Sequence, residues 1–333
     1  VELFAEFFAN DFLGKPVWAW TLFLSVVAAI LAFDLGIFHK KAHAISFRES
    51  MIQSSIFVSI ALLFGAGIWW QYGHESGLDY LTAYLVEYSL ALDNIFVIAL
   101  VFTYFAIPRE FQHRVLFWGI LGVIVLRAIM ISLGAAIVTE FHWVLYLFGA
   151  FLVFTGLKML WLVDNKPDIA SNPALVFLKK HIRFTDQIHG EKFFVQLPDK
   201  KTGRIVAHAT PLFLALCVIE FADIIFAVDS VPAVFLITTD PFIVYTSNIF
   251  AIMGLRALFF TLSAMIERFH YLKYALALVL VFIGAKIFIA QVTGKIPSEI
   301  SLGVTFGLLA GGVVYSIYKT RKAERQAALQ PAE

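Results

Sequence analysis

The chain alternates long apolar stretches with short polar breaks. Nine stretches recur, at about 17–38, 51–70, 80–106, 115–137, 143–163, 210–237, 242–265, 271–291 and 299–318. As α-helices, stretches of about 20 residues cross a bilayer core of about 30 Å, whereas membrane strands need only about 9–11 residues. The pattern therefore predicts an all-α polytopic membrane protein with nine transmembrane helices, in one transmembrane domain spanning residues 1–333. One break is long, residues 164–209. Within it, Ala174–Phe184 reads as a short basic amphipathic helix. Phe193–Leu197 and Arg204–His208 flank Pro198-Asp199-Lys200-Lys201-Thr202-Gly203 and read as a hairpin.

Composition agrees with this reading. Apolar residues make up 60% of the chain and charged residues 15%, against about 45–50% and about 25% in soluble domains, and the mean hydropathy is +0.84. A disordered chain, a coiled coil and an ordinary soluble enzyme are excluded. The single cysteine, Cys217, excludes a disulfide framework and a Cys-based metal site. No secretory signal is expected ahead of the first span. The net charge of +1 hides a strong asymmetry. Counted over alternating loops, only Lys15 and Lys295 fall on one side, and nearly all other loop lysines and arginines fall on the opposite one. The positive-inside rule then places the N-terminus outside, and the C-terminus and the 164–209 loop in the cytoplasm.

Three consecutive spans recur. Leu126-Arg127-Ala128 returns as Leu255-Arg256-Ala257, and Val153-Phe154-Thr155-Gly156-Leu157-Lys158 as Val281-Phe282-Ile283-Gly284-Ala285-Lys286. Glu87 with Asp93-Asn94 returns as Asp223 with Asp229-Ser230. An odd number of helices per unit makes the second unit cross in the opposite sense. The expected plan is an inverted repeat of three plus three helices, 80–163 and 210–291, with a binding site near the midplane between them.

The spans also hold charges that hydrocarbon makes costly: Asp34, Glu87, Asp93, Glu220, Asp223, Asp229, Arg127, Lys158, Arg256 and Lys286. Each costs about 2.5–3.5 kcal/mol at a helix centre on insertion scales, so such residues pair or line a wet cavity. Glu87 and Asp93 sit six residues apart, as do Asp223 and Asp229. Because the two helices run oppositely, Glu87 is expected near the depth of Asp229, and Asp93 near that of Asp223. Asn94 and Ser230 add neutral oxygens. Pro232 frees the Val228 carbonyl beside Asp229. Glu220 lies one turn before Asp223. Carboxylate, amide and carbonyl oxygens suit Mg²⁺, Ca²⁺ or Mn²⁺, and no histidine sits mid-span to favour zinc or copper. Arg127 and Arg256 are expected to neutralise acids within the bundle. Lys158 and Lys286 are near span ends and can snorkel to the interface, and Asp34 lies near the cytoplasmic end of the first span.

Several of these segments resemble one family. They are Glu87 to Asp93-Asn94, Glu220-Phe221-Ala222-Asp223, Phe226-Ala227-Val228-Asp229-Ser230-Val231-Pro232-Ala233, and Thr246-Ser247-Asn248 running into Gly254-Leu255-Arg256-Ala257. They are similar to the TerC family, and within it to the Alx-type proteins. The resemblance implies a bacterial inner-membrane protein of manganese export and metal homeostasis, related in plan to LysE-type exporters. It implies that the metal is met by Glu87, Asp93, Glu220, Asp223 and Asp229, with Asn94 and Ser230 beside them.

The leading expectation is a secondary transporter exporting divalent metal, with Mn²⁺ as substrate, Ca²⁺ or Mg²⁺ as alternatives, and protons as a plausible antiported ion. No tightly bound cofactor is expected, and the absence of a P-loop sequence argues against ATP drive in this chain. The alternative is a membrane scaffold that delivers metal to secreted or membrane proteins, which would need a membrane protein partner. An enzyme is not expected: an intramembrane aspartyl protease built on Asp93 and Asp229 fits poorly with the arginines and the duplication. Membrane lipids are expected partners and nucleic acid is not.

Overall fold

A computed structural model describes residues 10–33, 46–161, 172–198, 204–262, 272–293 and 296–329. The long helices are α1 (Val17–Phe33), α2 (Phe47–Tyr72), α3 (His74–Tyr104), α4 (Arg109–Glu140), α5 (Val144–Trp161), α7 (Pro211–Phe235), α8 (Pro241–Leu262), α9 (Leu272–Thr293) and α10 (Ser298–Leu329), with a short α6 (Pro173–His181). Each long helix falls on one of the nine apolar stretches. Seven of them, α2, α4, α5 and α7 to α10, are long and apolar enough to cross a membrane. Among the described residues α1 is a shorter apolar helix of 17 residues, and α3 interrupts its apolar run with Glu75, Asp79, Glu87 and Asp93.

Several helices outrun the stretches that predict them, because an apolar count stops where a helix continues into polar surroundings. Helix α2 begins four residues early on a capping box, in which the Ser46 side chain accepts from the Glu49 N–H and the Glu49 carboxylate accepts from the Ser46 N–H. Helix α4 starts at Arg109 behind Pro108, and α10 continues through the basic tail to Leu329. The amphipathic segment forms α6, where the Asn172 side chain accepts from the N–H groups of Ala174 and Leu175. The hairpin pairs the strands Phe194–Pro198 and Ile205–Ala209, with Val195 opposite His208. A two-residue-per-strand hairpin, Asp11–Phe12 with Lys15–Pro16, precedes α1. Its Lys15 Nζ lies 2.8 Å from the Asp240 carboxylate at the start of α8.

Packing centres on α8. In its apolar window 88% of residues are buried, against 22% for α4, α5 and α10, so α8 is the helix the others surround. A helix apolar around its whole circumference needs this position. Helices α2, α3, α4 and α7 hold the remaining central contacts: α8 packs on α2, α3 and α4, and α7 on α3, α4 and α5. The most extensive helix pair is α5 with α9. There, a Cβ built on Gly284 would stand 2.5 Å from the Gly149 carbonyl oxygen, and one built on Gly156 would stand 2.6 Å from that of Ala277. Backbones meet at this distance only over residues without side chains. Each helix of 80–163 touches its sequence counterpart in 210–291: α3 with α7, α4 with α8, α5 with α9.

The apolar interior is in two parts. One gathers Tyr84 of α3, Ile131 of α4, Ala227 to Phe235 of α7 and most of α8. The other gathers Ala91 and Ile95 of α3, Val115 and Leu116 of α4, and Leu212 to Ile219 of α7. Between the fully buried members of the two clusters lie Glu87 on α3, Arg127 on α4 and Asp223 on α7.

Candidate ion site

The polar layer between the two clusters is organised by Arg127. Its side chain leaves α4 with 2% of its surface exposed and forms a fork with Asp223 of α7, Nε to Oδ2 and Nη2 to Oδ1, both at 3.2 Å. Nη1 donates to the Ser230 hydroxyl at 2.5 Å and stands 3.7 Å from Glu87 Oε1 on α3. Two parallel N–H···O bonds to one carboxylate are the strong geometry for this pair. The Asn94 amide donates to Asp223 Oδ1 at 3.4 Å. Asn94 is thus opposite Asp223, and Glu87 is on the Ser230 side, which is the register expected of two antiparallel helices.

Several buried oxygens here accept no hydrogen bond from the described residues: Glu87 Oε1, Asn94 Oδ1 and both oxygens of Glu220. Buried polar atoms are rarely left this way. Glu220 turns toward α4, where only glycine leaves it room: a Cβ on Gly122 would lie 2.6 Å from its carboxyl group. Asn248 of α8 is fully buried and both its amide atoms lack partners, while its side chain stands beside Glu87. Thr246 and Ser247 are equally buried, and their hydroxyls bond back to the carbonyls of Phe242 and Val244.

A cavity of ≈ 320 Å³ opens onto this layer, lined by Glu87, Asn94, Arg127, Lys158 and Ser230, with Thr155 and Phe226 among its walls. A second cavity, ≈ 60 Å³ and almost wholly apolar, lies against Asp223 from the other direction, between Ile95, Leu116, Ile219 and Phe259. Asn94, Ala91 and Phe226 line both. The Arg127–Asp223 pair and Asn94 are therefore the partition between the two spaces.

Of the residues singled out in the sequence, the structure brings Glu87, Asn94, Asp223, Ser230 and Arg127 together. Glu220 stands one turn away against α4. Lys158 is exposed and lines the larger cavity, whereas its counterpart Lys286 is half-buried and donates to Ser301 of α10 at 3.2 Å. Asp34 and the side chains of Asp93, Asp229 and Arg256 lie outside the described residues. Among the described residues no group of three or more His, Cys, Asp or Glu is placed to hold a metal ion.

Residues 72–324, most of the chain, match the family described as integral membrane protein TerC. The chain belongs to the TerC family. A membrane protein of Myxococcus xanthus, STKORF319, is 50% identical over 305 residues, covering 91% of this chain and 93% of that protein. The Alx proteins of Salmonella typhi and Escherichia coli K12, whose names propose a membrane-bound redox modulator, are 46% and 45% identical over 322 residues, 94% of this chain and 98% of theirs. No solved structure matches the chain. In this TerC protein the residue that sequence reading left out of the site is Asn248. The signal for it was present: an amide in the middle of an apolar span, inside the Thr246-Ser247-Asn248 segment, on the helix that proves to be the most buried.

Proposed function

We propose that this TerC protein is a secondary transporter that exports a divalent metal ion, Mn²⁺ first among candidates, across the bacterial inner membrane. The observation that carries this reading is the cavity between the two helix triplets, with buried Glu87 Oε1 and Asn94 Oδ1 on its wall and no bond to either. Hard oxygens that accept no hydrogen bond suit a hard cation. The pairing of α3 with α7, α4 with α8 and α5 with α9 supports an inverted repeat, and with it alternating access through exchange of the two triplets' arrangements. Asp93 and Asp229 share the helices of Glu87 and Asp223 and complete the acid set in this reading. Membership of a family with Alx relatives supports a role in metal or redox homeostasis. A chain with the single thiol Cys217 forms no dithiol couple of its own, which favours the metal side of that pair. Proton antiport fits a carboxylate-lined site, because protonation of an acid releases a cation.

The test is ion-resolved flux in proteoliposomes containing only this protein. Mn²⁺, Ca²⁺, Mg²⁺ and lumenal pH are followed for the wild type, Asp93→Asn and Asp229→Asn. Mn²⁺ movement abolished by both substitutions is the expected result. Binding of Mn²⁺ without flux refutes transport by this chain alone and moves the assignment to a scaffold that hands metal to a membrane protein partner.

A further inference from the structure

We propose that Arg127 is a resident counter-cation: its guanidinium holds the seat of the transported ion in the empty site, closes the partition between the two cavities, and is displaced when the ion binds. The inference rests on the transport reading and adds the step by which the site is emptied and shut.

The argument is one of occupancy. Arg127 contacts three of the seven residues expected to meet the metal, Glu87, Ser230 and Asp223, and Asn94 shares its Asp223 oxygen. Both carboxylates are buried, Glu87 at 1% and Asp223 at 7% exposure. Two buried carboxylates side by side are stable with a cation between them or with one of them protonated, and the guanidinium supplies the cation. A divalent ion bidding for the same oxygens meets a site already compensated, so its affinity falls by whatever holds the arginine in place. Weak enough binding to leave is a requirement of any transport site.

The contacts also give the displacement a direction. Glu87 is held least tightly, at 3.7 Å against 3.2 Å for Asp223, and its Oε1 accepts no hydrogen bond. An ion arriving from the larger cavity meets Glu87 and Asn94 first. As it draws Asp223 into its coordination shell, the fork to Arg127 opens, and with it the wall shared by Asn94 and Phe226. Joining the cavities and loading the ion then become one event. Lys158 is exposed on the same cavity, and Arg127 alone among the described cations is ion-paired with Glu87 and Asp223.

The test compares purified wild type, Arg127→Gln and Arg127→Lys by Mn²⁺ titration, by the rise in melting temperature with Mn²⁺, and by flux. If arginine competes, Arg127→Gln binds Mn²⁺ about tenfold more tightly, within the usual range for coupled sites. Its melting temperature then rises more with Mn²⁺ than the wild type's does, while its flux falls because the ion is no longer expelled. Arg127→Lys keeps the charge but loses the fork, and its affinity falls between the two; it serves the same comparison if the glutamine variant folds poorly without metal. Mn²⁺ binding that is weaker in both variants, or unchanged, overturns the counter-cation assignment and leaves the transport reading standing. A wild type that neither binds nor moves Mn²⁺ overturns both.

Discussion

Substituting Asp223 by asparagine should destabilise the wild-type protein and stabilise the Arg127→Gln variant. In the wild type the exchange leaves the guanidinium, 2% exposed, without its bidentate partner. Removing one member of a buried ion pair costs about 3–5 kcal/mol. Glu87 returns part of this. Its Oε1 lies 3.7 Å from Nη1, and closing to about 2.9 Å at an effective dielectric constant of about 20 gains roughly 1 kcal/mol. The expected net cost is therefore about 2–4 kcal/mol. In the Arg127→Gln background the sign reverses, because Asp223 is then an uncompensated buried charge beside Glu87 and neutralising it removes a repulsion. The measurement is a double-mutant cycle on reversible unfolding in mixed micelles, followed by tryptophan fluorescence at constant ionic strength. If Asp223→Asn costs the same in both backgrounds, the Arg127–Asp223 fork contributes nothing and the polar layer is held by something else.

Gly284→Leu should abolish the folded protein on size-exclusion chromatography, because its Cβ would meet the Gly149 carbonyl oxygen at 2.5 Å; Gly307→Ala on α10, with nothing within 4 Å, should elute as the wild type. Asn248→Ala should change unfolding free energy by less than about 1 kcal/mol, since the amide it removes makes no hydrogen bond, yet weaken Mn²⁺ binding several-fold; a stability loss with unchanged binding would make Asn248 a packing residue. Asp240→Ala should cost about 1–2 kcal/mol in the same unfolding assay, because its Oδ1 caps α8 by accepting from the Phe242 N–H at 3.0 Å and its Oδ2 meets Lys15; a loss below about 0.3 kcal/mol would leave that cap without energetic weight.

The positions of the long helices were legible because each apolar stretch is close to one membrane thickness and punctuated by polar or proline residues, as at Pro108, Pro211 and Pro241. Their ends were less so: charged turns such as Arg109 to Arg114 continue a helix without adding to its apolar count. The register of α3 against α7 could be read from equal spacings, Glu87 to Asn94 and Asp223 to Ser230, because the helical rise converts spacing into depth. What could not be read was which acid a buried arginine would choose. Arg127 reaches across to α7 and α3, and that choice depends on how α4 is rotated against its neighbours. Glu220 shows the same limit: its direction is set by the room left at Gly119 and Gly122 of another helix. Asn248 did not stand out because a lone uncharged amide breaks an apolar span only slightly, and only the depth of α8 sets it apart.

The α5–α9 crossing has a further consequence. In the repeat read from the sequence, Gly149 corresponds to Ala277 and Gly156 to Gly284, and the close approaches run Gly149 to Gly284 and Gly156 to Ala277. Contact of i with j, matched by contact of j with i, is the mark of an isologous interface between identical subunits, here written within one chain. In a true homodimer every substitution arrives twice and must suit both sides at once. A tethered pair is free of that constraint, and this one has used the freedom. Thr155 faces the cavity where its counterpart Ile283 is sealed in the interior, and Lys158 is exposed where Lys286 is bound to Ser301. The two halves thus match where small residues let the backbones meet, and differ where one of them faces the cavity.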